Sequence, residues 1–121
     1  MTREEFEDCV EEALSDLPEE LAALMDNVTV VVARRPTRAD LLAANVPPGH
    51  TLLGLYHGVP LGSRGRHRYG GVLPDRVTIY QQPIEAAFEP EELIDGIREV
   101  VLHEVGHHFG LSDERLREMG Y

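Results

Sequence analysis

The chain of 121 residues has no lysine, no tryptophan and a single cysteine, Cys9. One cysteine cannot form a disulfide within the chain, so a small disulfide-stabilised scaffold is excluded. Cys9 falls in the first predicted helix, where a small buried side chain is the simplest interpretation. No apolar run reaches the length that crosses a bilayer, and the first residues lack the basic start and apolar run of a signal peptide. We therefore expect a cytoplasmic protein, with export as part of a longer precursor as the open alternative.

Positive charge is also scarce, because 11 arginines stand against 22 acidic residues and give a formal net charge of −11. A surface of this sign repels phosphate backbones and anionic lipid headgroups, so we expect no nucleic-acid partner and no membrane. The length suits one domain with a modest core. We therefore expect a single domain over residues 1–121, and the oligomeric state stays open.

Hydrophobic periodicity predicts short elements of both kinds, which is an α+β fold class. Thr2 and Glu5 have the spacing of a capping box at the start of the first helix. The predicted elements are helices over residues 3–17, 18–25 and 37–45 and strands over residues 28–33, 51–57 and 77–81. The strand over residues 28–33 is rich in β-branched residues, so we expect it at the centre of the sheet.

A glycine-rich segment, residues 62–71, joins the second and third predicted strands and carries Arg64, Arg66 and Arg68. Its composition indicates a loop or a wide hairpin connection. The simplest interpretation is a solvated loop. A sharper hypothesis is that the three arginines border the active-site cleft and attract acidic groups of a substrate.

The last long helix is predicted to start near Glu89, because Pro90 and the acidic residues around it suit a first turn. Its apolar residues recur at helical spacing and form one broad arc, so one face should be buried. Gly110 can end this helix, and a last short helix would start at Ser112 or Asp113.

Residues 103–113 read HEVGHHFGLSD and contain the pattern H-E-x-x-H-x-x-G-x-x-D. His103 and His107 lie about 40° apart around a helix, so both imidazoles can reach one metal ion. Asp113 follows the helix break and can return to the same ion. Two imidazoles and one carboxylate leave a position for water, as in catalytic zinc sites. The pattern predicts one Zn²⁺ per chain, with Mn, Fe, Co and Ni as open alternatives.

Glu104 is expected to act as a general base and not as a ligand. It directly follows His103, so its side chain points about 100° away from that of His103 around the helix. A metal-activated water has a pKa near neutrality, and Glu104 would take its proton and pass it to the leaving amine. These roles predict a zinc-dependent hydrolase, most simply a metallopeptidase that acts on a peptide or protein substrate. The substrate and cleavage preference stay open.

The other histidines are interpreted as structural or surface residues. They are His50, His57, His67 and His108. His108 neighbours His107 and would point away from the metal. Tyr56 and Tyr80 could donate to a developing oxyanion, although packing within the strands is the simpler interpretation.

The motif resembles that of the zincin metallopeptidases, in the branch whose third ligand is an aspartate. The chain as a whole is similar to small bacterial zincin-like metallopeptidases of about this length. The resemblance implies a minimal zincin-like fold, in which a small mixed β-sheet packs against a C-terminal metal-binding helix. It also implies that His103, His107 and Asp113 bind the metal and that Glu104 is the base. In zincins an edge strand commonly pairs with the extended substrate, and either predicted strand, 52–57 or 77–81, could serve.

Two alternatives remain. The spacing of His103, His107 and Asp113 also resembles that of a bacterial endoribonuclease family that matures ribosomal RNA. That family usually lacks a glutamate after its first histidine and usually has a histidine as third ligand, and a charge of −11 suits RNA poorly. The second alternative is a catalytically silent module that binds a metal or a partner. Glu104 argues against it, because a purely structural site has no use for a base.

Overall fold

The computed structural model describes residues 1–58 and 75–118. The Arg-rich segment 62–71 lies outside these residues. In chain order the elements are α1 (Arg3–Ser15), α2 (Glu19–Leu24), β1 (Val28–Ala33), α3 (Arg38–Ala43), β2 (Gly54–His57), β3 (Asp75–Tyr80), α4 (Gln81–Ala87), a 3₁₀ turn (Pro90–Glu92), α5 (Leu93–His108) and α6 (Asp113–Glu118). The α+β fold class is confirmed.

Local hydrogen bonds fix the starts of two helices. The Thr2 hydroxyl accepts from the Glu5 backbone N–H at 3.1 Å, and the Glu5 carboxylate accepts from the Thr2 N–H at 3.1 Å. This confirms the predicted capping box of α1. Thr37 and Asp40 make the same reciprocal pair at the start of α3. Each box satisfies backbone donors that a helix cannot pair internally.

The sheet has three strands in the order β1-β3-β2 among the described residues. β1 is parallel to β3 and β2 is antiparallel to it, so the predicted mixed sheet is confirmed. The expectation of a central β1 is wrong, because β3 lies between the other two. Every β3 residue except Arg76 is buried, whereas no β1 residue is fully buried. A β-branched run indicates a strand and does not indicate its place in the sheet.

Helix α4 is absent from the sequence prediction, which extends the third strand to Gln81. The strand ends at Tyr80 and α4 begins at Gln81 without a loop. Pro83 is the third residue of α4. A proline there is compatible with a helix, because backbone N–H groups of the first turn have no intrahelical partner.

Helix α5 occupies the centre of the core and packs against α1, β2 and β3. Core side chains of α1, β3 and α5 include Phe6, Val10, Val77, Ile79, Ile97, Val101 and Val105. Burying a side chain of this kind contributes about 1.5–3 kcal/mol, so this contact fixes the position of α5. No helix in residues 1–58 and 75–118 is both long and apolar enough to span a bilayer.

Candidate metal centre

The last two turns of α5 carry His103, Glu104 and His107 at the edge of its buried face. Val101 and Val105 point into the core. His103 and Glu104 are half-buried, and His107 is exposed. The side chains of the motif therefore stand at the boundary between the core and solvent, which is where a substrate could reach them.

The spacing of His103 and His107 suits one shared metal ion. Their ring centroids are 5.6 Å apart, and the ring planes are inclined at 81°. Two imidazoles that bind one tetrahedral zinc with nitrogen–zinc distances of about 2.0–2.1 Å have centroids about 5–6 Å apart. The two residues therefore fit the prediction without any rearrangement of the helix backbone.

The chain turns sharply after His108, as the sequence predicts from Gly110. Gly110 adopts a φ of 82°, a left-handed conformation that favours glycine. The Leu111 N–H donates to the Gly106 carbonyl at 2.8 Å, and the Gly110 N–H donates to the His107 carbonyl at 3.0 Å. These two bonds form a Schellman motif, which ends α5 and sends the chain back along it.

Asp113 begins α6 directly after this turn. Ser112 caps α6, because its hydroxyl accepts from the Arg115 backbone N–H at 3.1 Å. The Asp113 side chain lies outside the described part of the structure, so its assignment as third ligand stays a prediction. Within residues 1–58 and 75–118, no three His, Cys, Asp or Glu side chains form a metal-binding group.

Gly106 brings α6 close to α5. A Cβ atom at this position would lie 3.0–3.1 Å from the two methyl groups of Leu116. Leu116 is fully buried, so it anchors α6 against the glycine. Gly106 therefore serves close packing behind the motif histidines.

Glu104 lies against strand β2, since a Cβ atom at Gly54 would lie 3.6 Å from Glu104 Cγ. Burial raises the pKa of Glu104, and the neighbouring His107, the Tyr56 backbone and His103 oppose that rise. Glu104 thus stands at the end of the motif that faces β2, a position from which a general base could reach a water molecule beside the two histidines.

A cluster of Tyr56, Asp75 and His108 lies beside Glu104, and sequence reasoning did not find it. The Tyr56 hydroxyl donates to Asp75 Oδ2 at 2.6 Å. The His108 ring stacks on the Tyr56 ring with centroids 3.8 Å apart. His108 Nε2 lies 3.7 Å from the same Oδ2. Asp75 is 19 residues from Tyr56 and 33 from His108, so no local pattern signals the cluster.

The candidate oxyanion donors are engaged elsewhere. The Tyr80 hydroxyl donates to Asp40 Oδ2 at 2.9 Å, and the Tyr80 side chain is fully buried. Burial and the bond to Asp40 raise the pKa of Tyr80. The hydroxyls of Tyr56 and Tyr80 thus each donate to a carboxylate, which favours the packing interpretation for both.

The remaining histidines differ in their surroundings. His50 is exposed, and His57 has a buried Nδ1 without a hydrogen-bond partner among the described residues. His67 lies outside those residues, as do Arg64, Arg66 and Arg68, so the proposed role of the Arg-rich loop stays a hypothesis.

A groove of about 310 Å³ runs between the start of β2 and α5 and ends at the motif. Its lining is formed by Thr51, Leu52, Leu53, Gly54, Phe88, Glu99, Val100, His103 and Glu104. Gly54 lets the strand approach the helix, because a Cβ atom there would lie only 2.8 Å from Val100 Cγ1. The groove thus combines apolar walls with the polar side chains of the motif.

Comparisons with known proteins agree with this geometry. A family model described as zincin-like metallopeptidase matches residues 25–121, a range that contains all three strands, α5 and Asp113. Among solved structures, the chain is similar to a conserved hypothetical protein from Thermus thermophilus, with a TM-score of 0.56 and 25% sequence identity. That similarity covers 89% of this chain and 94% of the other. A search of curated proteins finds no match.

Proposed function

The chain belongs to the zincin-like metallopeptidase family, and we propose that it is a zinc-dependent peptidase in which Glu104 is the general base. One observation carries the proposal. A half-buried carboxylate, that of Glu104, lies against strand β2 on the helix turn that also carries two histidines with the spacing of a shared metal ion.

His103 and His107 would hold the zinc ion together with Asp113. When bound, zinc would lower the pKa of a water molecule and polarise the scissile carbonyl. Glu104 takes a proton from the attacking water, whose oxygen bonds to the carbonyl carbon. The same carboxyl group then gives that proton to the amide nitrogen as the carbon–nitrogen bond breaks.

The substrate would lie along β2. Of the two predicted candidates, the strand over residues 77–81 is excluded, because β3 is central and both of its edges are paired. No strand of the described chain pairs with the outer edge of β2. An extended peptide could add to that edge and place a side chain in the groove of about 310 Å³. Apolar walls favour an apolar side chain there.

The test is hydrolysis of a fluorogenic peptide library by the zinc-loaded protein and by its Glu104→Gln variant. We expect chelator-sensitive cleavage, and a loss of kcat in the variant of about 10²–10⁴-fold, which is the usual contribution of a general base. Zinc should stay bound, because Glu104 is not a ligand. Glu91→Gln makes the same chemical change at an exposed position and should leave kcat unchanged.

Equal cleavage by wild type and Glu104→Gln would contradict the proposed base. Chelator-sensitive cleavage of RNA without cleavage of any peptide would instead favour the endoribonuclease alternative.

A further inference from the structure

A second pocket, of about 410 Å³, lies at the carboxyl ends of strands β1 and β3. The two strands are parallel and end at the paired residues Ala33 and Tyr80, so the segments that follow them leave the sheet side by side. The carboxyl ends of parallel strands are a common place for ligand sites in α/β folds. The pocket is lined by Met1, Arg3, Arg34, Gln81, Gln82 and Glu85. It shares no residue with the groove beside the motif.

The lining of this pocket is almost entirely polar. Among the described residues that form it, only Met1 has an apolar side chain. Two arginines against one glutamate give the lining side chains a net positive charge, although the whole chain carries −11. The pocket therefore suits a small anion, because guanidinium groups match the oxygens of carboxylates and phosphates.

Arg34 is held in place by the segment that follows β3. The Gln82 backbone N–H donates to the Arg34 carbonyl at 2.9 Å. The Gln82 amide, oriented with its oxygen toward the guanidinium, accepts from Arg34 Nε at 2.9 Å and from Nη2 at 3.2 Å. These bonds use one edge of the guanidinium and leave Nη1 for a ligand. Within residues 1–58 and 75–118 no carboxylate pairs with Arg34.

Arg3 reaches the same pocket from the start of α1. Its guanidinium donates to the Val32 carbonyl and, at 3.0 Å, to Glu7 Oε1. These contacts tie the side chain to β1 and to its own helix. A guanidinium has five N–H donors, so the two bonds leave others for a ligand.

The pocket also contains acceptors, which a fully deprotonated anion could not use. Gln81 is only 7% exposed, and its side-chain nitrogen donates to the Met1 carbonyl at 3.0 Å and to Glu85 Oε1 at 3.2 Å. Its side-chain oxygen accepts no bond in the part of the chain that the structure describes. Glu85 Oε1 also lies 3.3 Å from the Met1 nitrogen, so the described contacts of Glu85 leave Oε2 open.

We propose that this pocket binds inorganic hydrogen phosphate, a tetrahedral anion that still carries a proton. The two arginines donate to its charged oxygens, and its hydroxyl donates to Gln81 Oε1 or Glu85 Oε2. Sulfate has a similar size and shape but carries no proton near neutral pH. The two acceptors would repel it, so the site should discriminate against sulfate. The inference goes beyond the proposed peptidase activity and does not depend on it.

The test is a titration of the purified protein with phosphate and with sulfate at matched ionic strength, followed by backbone amide NMR. Phosphate should give saturable shifts at residues 34, 81 and 82. It should bind at least about tenfold more tightly than sulfate, the discrimination expected when a hydrogen bond is replaced by an unpaired acceptor. A phosphate monoester has a second pKa of about 6, so at a pH of about 7.5 it should bind more weakly than inorganic phosphate.

Three variants separate the pocket from general charge. Arg34→Gln should weaken phosphate binding about tenfold or more, because it removes a charge-assisted donor. Arg35→Gln makes the same change at the next residue, which is exposed and does not line the pocket. It should leave the affinity within about twofold of wild type. Glu85→Gln replaces an obligate acceptor by a group that can also donate, so sulfate should then bind nearly as well as phosphate.

The absence of saturable phosphate binding by wild type would overturn the inference. Equal binding of phosphate and sulfate would overturn it too, because the acceptors would then not select for the proton. An unchanged affinity in Arg34→Gln, or shifts confined to residues 103–107, would show that phosphate binds elsewhere and would also contradict the site. None of these results bears on the proposed peptidase activity, which is tested with peptides.

Discussion

At the scale of single residues, the candidate centre depends on where each side chain leaves helix α5. His103 and His107 share one helical face, and their rings stand 5.6 Å apart. Glu104 leaves the helix toward β2, where a Cβ atom at Gly54 would lie 3.6 Å from its Cγ. One helical stretch can therefore present two candidate ligands and a candidate base, because each residue of a helix is rotated by about 100° around the axis from the one before it.

Gly110 gives the first prediction at this scale. It has a φ of 82°, and a Cβ atom added to it would meet nothing within 4 Å, so replacement costs backbone strain and no clash. Gly110→Ala should reduce the free energy of unfolding by about 1–2 kcal/mol, the cost of a left-handed non-glycine residue. Gly110→Asn should cost less, because asparagine tolerates this conformation. Urea denaturation measures both, and equal stability of Gly110→Ala and wild type would contradict the interpretation.

At the scale of elements, the site is a contact between strand β2 and helix α5. The strand lies close enough to contact Glu104 only because residue 54 has no side chain. A Cβ atom there would meet Val100 Cγ1 at 2.8 Å and the Thr78 carbonyl oxygen at 3.3 Å. The core thus sets the distance between the two elements, and that distance sets the position of the base.

Gly54→Ala should therefore destabilise the fold and displace Glu104 together. Overpacking a filled interface costs about 1–3 kcal/mol of unfolding free energy. The NMR chemical shifts of Glu104 should also change in this variant, because residue 54 lies against Glu104. Thr51→Ala, at an exposed position three residues earlier, is the matched control and should change neither quantity. Full stability of Gly54→Ala would show that β2 can move away from α5 freely.

At the scale of the whole molecule, local signals were predictable from sequence and distant pairings were not. The capping box of Thr2 and Glu5, the face shared by His103 and His107 and the turn at Gly110 all depend on residues within five positions of one another. The place of β1 at the edge of the sheet depends on pairing between residues about 47 positions apart, from Val28 to Asp75. The contact of Tyr56 with Asp75 and His108 arises in the same way.

The measurement that tests the account most directly is the zinc content of the purified protein and of its Asp113→Ala variant, after both have been offered zinc and dialysed. We expect about one zinc per chain in wild type and in Glu104→Gln, because three side chains and one water complete a catalytic site. Asp113→Ala should lose most of the metal, as should His107→Ala. No zinc in the wild-type protein, or undiminished zinc in Asp113→Ala, would contradict the proposed centre.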